Sequence, residues 1–168
     1  MKKAGLVAIA LAIGLLSPVL AQTDDAHHMH HHDQSQAGPH GQHDAIDSRQ
    51  AVTFPRQLKA HTLANMRDHL QTLTDIQEAL SLSDFEKAAT LAESRLGMSS
   101  LEAHGAHDVA RYMPKGMQQL GAAMHQNASR FAVQAQDASA SGDIAAALRA
   151  LAKVNGSCVA CHAAYRLQ

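Results

Sequence analysis

The 168-residue sequence predicts an all-α fold, an antiparallel four-helix bundle in up-down-up-down order. Apolar residues recur at three- and four-residue spacing in four separate stretches, the period of one helical face. Two short turn signals and one longer connection join the stretches, which favours antiparallel neighbours. Ala, Leu, Gln and Met are abundant, aromatics make up only 3% and Trp is lacking, a composition that suits helices. No strand signal of any length is visible.

Helix one is expected from about Pro55 to Leu80, with Leu58, Thr62, Met66, Leu70, Leu73, Ile76 and Leu80 on one face and Pro55 in the first turn. Ser81-Leu82-Ser83 reads as a turn. Ser83, with Glu86 three residues on, forms a capping box for helix two, about Asp84 to Leu96. Its stripe is Phe85, Ala88, Ala89, Ala92 and Leu96, and Gly97 is a natural C-cap. Residues 98–114 form an irregular connection, with room for a short helix capped by Ser99 and Glu102. Pro114 opens helix three, about Lys115 to Ala138, with Met117, Leu120, Met124, Ala128, Phe131 and Ala135 inward. Ser141-Gly142-Asp143 is a turn and cap. Helix four runs from about Asp143 to Leu167, with Ile144, Leu148, Leu151, Val154, Cys158, Cys161 and Tyr165 on one face.

Ahead of the helices, residues 1–21 read as a secretory signal peptide: Lys2 and Lys3, an apolar run from Leu6 to Leu16, and the small-residue motif Val19-Leu20-Ala21. The run is too short for a stable membrane span and no second one follows it, so the mature chain is expected to be exported to the periplasm without a membrane span. Losing Lys2 and Lys3 makes the formal charge of −1 two units more negative. With no basic patch and no aromatic stacking set, nucleic-acid binding has no support. Residues 22–53 are expected to form a disordered His-rich arm, since their low-complexity stretch cannot bury enough surface to fold. The folded domain is expected over 54–168. The arm carries His27, His28, His30, His31, His32, His40 and His43. Neutral imidazoles suit Cu(II), Ni(II) and Zn(II), so metal binding is one expectation for it; a pH-dependent contact or a neutral spacer is the other.

The motif that carries chemistry is Cys158-Val159-Ala160-Cys161-His162, which uses the only two cysteines. Cys-x-x-Cys-His attaches a c-type haem, the thiols adding to the porphyrin vinyls and the His supplying an axial nitrogen to iron. A thioredoxin-type dithiol sits at a helix N-terminus after a strand, whereas this pair lies inside a helical pattern. A structural zinc site needs a second ligand pair, and a disulfide between helical residues three apart is geometrically poor. One covalent haem is therefore expected inside the bundle, near the end of helix four.

Over residues 55–168, and through Cys158, Cys161, His162, Tyr165 and Arg166, the chain resembles the cytochrome c′ family of class II c-type cytochromes. The resemblance implies His162 as proximal iron ligand, Arg166 near the haem and this ligand, and Tyr165 packed against haem and helix three. The family divides by its other axial position, which is either left open or taken by a Met of helix one. Met66 lies on the core stripe at a place close to that Met, which points to the low-spin, Met-ligated branch. A Met at helical spacing also serves as core filler. His69 and His61 are further candidates, with a solvated state the ordinary one for His69. Homodimer pairing through the first two helices is a further implication.

The function expected from these residues is that of an exported monohaem c-type cytochrome carrying single electrons between redox partner proteins. No Ser/His/Asp set, carboxylate pair or phosphate loop is visible, so the chain is not expected to be an enzyme. Two alternatives stay open: a five-coordinate haem protein that binds NO or CO, and a metal-binding accessory protein acting through its His arm. A second cluster, Met98, His104, His107, Met113, Met117, Met124 and His125, combines thioethers and imidazoles of the kind that bind Cu(I). Met at that spacing is more often core, and a loop His more often solvated.

Overall fold

The computed structural model describes residues 47–168. The expected signal peptide and the seven arm histidines named above lie outside the described residues. Those described are mostly helical. In order they form β1 (Gln50–Val52), α1 (Arg56–Ser81), α2 (Phe85–Arg95), a 3-10 turn (Met98–Ser100), α3 (Ala106–Ala110), α4 (Lys115–Ser141), α5 (Ile144–Ala164) and β2 (Tyr165–Leu167). Helices α1, α2, α4 and α5 are the four stretches that periodicity marks out.

Local chemistry sets most boundaries. Pro55 and Pro114 precede α1 and α4 in extended conformation, and their missing N–H costs nothing at a helix start. The Asp143 carboxylate accepts from the Ala146 amide at 3.0 Å and caps α5. At α2 the cap is Asp84, which accepts from the Lys87 amide at 3.1 Å. The expected capping residue, Ser83, instead turns the corner at φ 57°. The capping box expected from Ser99 and Glu102 does not form either, because the Ser99 amide and hydroxyl both donate to Glu93. Gly97 follows α2 with φ −74°, so no left-handed C-cap forms there.

Close helix pairs are α1 with α2, α2 with α4, and α4 with α5. The core they share is rich in alanine: Ala79, Ala88, Ala89, Ala92, Ala128, Ala132, Ala135, Ala138 and Ala147 are all buried, around Ile76, Phe131, Leu151 and Val154. Small side chains let helix backbones approach, and the shape of the interface then comes from the few large residues between them. Three residues of the expected stripes face out instead: Leu70, 66% exposed, and Ile144 and Leu148. On α1 the adjacent His69 takes the inward position, at 6% exposure. At 3.6 residues per turn, positions 69 and 70 both follow Met66 closely enough to face the core; polarity favours Leu, yet tertiary contacts select His.

The strand pair was not expected. β1 and β2 run parallel, with Gln50 opposite Tyr165, Ala51 opposite Arg166 and Val52 opposite Leu167. Helix α5 therefore ends at Ala164 rather than near Leu167. Tyr165 turns extended, at φ −130° and ψ 149°, and packs against a second apolar cluster of Val52, Phe54, Val109 and Met117. Strands of three residues are too short to leave a period-two signal. Val52 is buried, so the folded unit reaches back into the segment read as arm. Among the described residues one helix, α5, is long and apolar enough to cross a membrane. It lies along α4, with Ala147, Leu151, Val154 and Ser157 buried.

Two helical glycines test this packing. A Cβ at Gly116 meets the Tyr165 hydroxyl, whereas one at Gly156 meets open space. Gly116→Ala should cost roughly 1 kcal/mol net, overpacking outweighing the gain in helix propensity. Gly156→Ala should stabilise by roughly 0.5–1 kcal/mol. Thermal melts should move in opposite directions by a few degrees; a gain for both removes the Tyr165 contact from the structure.

Candidate functional site

A cavity of about 590 Å³ opens where α5 ends. Its walls come from the first half of α1 (Lys59 to His69), the connection from Met98 to Met113, the first turns of α4 (Met117 to His125), and Cys161 to Leu167. Along α4 this lining extends for about 12 Å at 1.5 Å per residue. The volume suits a large organic ligand. Arg49, Lys59 and Arg166 are among the lining residues, and no Asp or Glu is. Apolar walls with cationic side chains suit an apolar ligand that carries negative charge.

Cys158, Cys161 and His162 share one side of α5, as positions i, i+3 and i+4 must. Cys161 and His162 line the cavity. Cys158, one turn back, packs against the alanine-rich core. Both thiols are free and half-buried. Burial pushes both above the ordinary thiol range, and for Cys161 the neighbouring Cys158 adds to the effect. Redox dithiols show the reverse, a thiol lowered into reactivity. His162 has an exposed side chain, and its carbonyl accepts a long hydrogen bond from Arg49 at 3.4 Å. These residues can together hold a haem: two thiols to bond it, an imidazole at the wall for iron, and cationic side chains for its propionates.

Tyr165 lines the cavity and meets Gly116 of α4. Arg166 also lines it; its Nε lies 3.3 Å from Asp47 Oδ2, an ion pair without hydrogen-bond alignment. Asp47 also pairs with Arg49 at 2.8 Å. Met66 is half-buried and lines the cavity.

No family model matches this chain, nor does any curated protein or solved structure. Its likeness to the cytochrome c′ family therefore stands on the C-terminal motif and the helix pattern.

Sequence reasoning missed a group of three histidines. His69, expected to be solvated, is buried against His104 and His125, with ring centroids 4.7 and 6.1 Å away; His104 and His125 are 5.4 Å apart. Burial, together with the two neighbouring rings, pushes His69 down to about 4. Burial likewise lowers His104 and His125. Ser100 is buried among them. The His61 ring and the Asn65 amide, both on α1, donate to the His104 carbonyl at 3.1 Å each and fasten the connection in place. His107 of the expected loop cluster points away, its side chain 97% exposed. The spacing of His104 and His125 was visible in the sequence; the inward turn of His69 rests on contacts distant in the chain.

His69 makes stability depend on pH. Its folded value, near 4, lies below the ordinary 6.5, so between the two the unfolded chain binds more protons. Its contribution is complete above about pH 6.5 and is lost as pH falls toward 4, roughly 3 kcal/mol in all. Urea unfolding across this range should show a shallower pH dependence in His69→Leu than in the unaltered protein. Equal slopes contradict the burial of a neutral ring.

Proposed function

We propose that this chain is an exported monohaem c-type cytochrome that carries single electrons, of the kind the cytochrome c′ family represents. One observation carries the reading: on the last turns of α5, Cys161 and His162 line an apolar cavity whose charged lining residues are all cationic, with Cys158 one turn back on the same side of the helix. The arrangement we infer is an antiparallel four-helix bundle. In its favour, α1 and α4 contribute their first halves to the cavity, and α5 contributes its last turn.

Bound there, haem would supply an iron that cycles between two oxidation states. The chain does the rest. Cys158 and Cys161 anchor the group, which fixes its position between the helices. His162 would offer a ring nitrogen and Met66 of α1 a thioether to the iron. With both donors engaged, the group would supply one-electron chemistry rather than an open site for substrate. Arg49, Lys59 and Arg166 balance negative charge, and the apolar walls exclude water, which holds the redox site in a low-dielectric setting.

The ferric protein should be low-spin with a far-red sulfur-to-iron charge-transfer band. Met66→Ala should lose the band and become high-spin. A high-spin spectrum in the unaltered protein, with uptake of NO or CO, would replace the carrier with a gas-binding haem protein. A low-spin spectrum that survives Met66→Ala and fails in His69→Gln would move the ligand to His69.

A further inference from the structure

We propose that His69, His104 and His125 form a second metal site, for copper as Cu(I), separate from the motif on α5. The site does not depend on the haem reading, since none of its ligands belongs to that motif.

Three features support it. The first is spacing. Imidazoles bound to one metal with metal–nitrogen lengths near 2 Å and tetrahedral angles have ring centroids about 5 Å apart. The three separations here are 4.7, 5.4 and 6.1 Å. Among the described residues no three His, Cys, Asp or Glu side chains are placed to hold a metal ion as they stand, so the proposed ligands must shift to bind one.

The second is the state of the ring nitrogens. His125 Nδ1 donates to the Leu96 carbonyl at 2.7 Å. The Ser100 hydroxyl donates to the Gly97 carbonyl at 2.7 Å, so its oxygen accepts from His104 Nδ1 at 3.3 Å. Both rings then keep an Nε2 lone pair free. Metal-bound histidines are held in this way, the far nitrogen donating to a carbonyl or other acceptor that fixes the tautomer. His69 adds the strongest sign: its Nε2 is buried and has no hydrogen-bond partner. A buried polar atom in that state costs on the order of 1–3 kcal/mol unless something answers it, and a metal ion answers it.

The third is charge and softness. Neutral imidazoles bring no negative charge, and no carboxylate lines the cavity. The neighbouring Asp68 is ion-paired to Arg95. A buried ion therefore keeps its own charge, and one unit is far cheaper to bury than two. Cu(I) meets this condition, and the Met98 and Met124 thioethers of the same cavity are soft donors that favour it.

The test uses full-length holoprotein in which His27, His28, His30, His31, His32, His40 and His43 are replaced by Gln, so that the arm contributes no ligands. Cu(I) is titrated anaerobically against a chromophoric cuprous chelator. One equivalent should bind. His104→Gln, at a half-buried ring that folding tolerates, should weaken binding by more than about 100-fold, and Ser100→Ala by about 10- to 100-fold. X-ray absorption at the copper edge should show imidazole nitrogens as the main ligands, while the haem spectrum of His104→Gln stays as in the parent. The proposal is overturned if the folded parent binds no Cu(I), if His104→Gln binds it undiminished, or if the copper shell contains sulfur alone. Loss of the low-spin haem spectrum in His69→Gln, with no copper bound by the parent, assigns His69 to iron and overturns it as well.

Discussion

The site depends on how closely α4 can approach α2 on one side and α5 on another. Alanines at positions 88, 89, 92, 128, 132, 135, 138 and 147 leave little side chain between these helices along one half of the unit. In the first turns of α4 the residues that face inward are Met117, Met124 and His125, and the facing stretch of α1 carries Met66 and His69. Larger and polarisable side chains there, combined with the close packing beyond, leave a cavity rather than a closed core. The parallel pairing of β1 with β2 then ties the end of α5 to the start of the folded chain, so Cys161 and His162 meet the cavity at a fixed place.

The helices were legible from periodicity because each buries one face, and the turns because Pro, Gly and Asp act locally. The grouping of Cys158, Cys161 and His162 on one side of α5 was legible because it depends on spacing along the chain alone. What could not be read depends on partners remote in sequence. Leu70 and His69 compete for one inward position, and two distant histidines decide between them. The strand pair joins Gln50–Val52 to Tyr165–Leu167, and neither segment is long enough to announce itself. Ser83 and Asp84 differ as caps by a single residue, a choice that a left-handed turn at Ser83 resolves.

The chemistry of these side chains follows from their burial. Burial raises the two thiols and lowers the three imidazoles, so both sets stay neutral near pH 7. Neutral imidazole is the form that binds metals, and a protonated thiol is unsuited to dithiol exchange. The same burial that makes the imidazoles poor bases keeps them in the neutral form that binds metals. Charge is confined to Arg49, Lys59 and Arg166, and Asp47 answers two of the three.

The central claim is a haem joined to the chain through both thiols. The intact mass of the purified protein, measured after denaturation and acid–solvent extraction, tests it most directly. A mass equal to the processed chain plus one haem, with no thiol open to alkylation, is the predicted result. A mass equal to the chain alone, with Cys158 and Cys161 both alkylated, would contradict it.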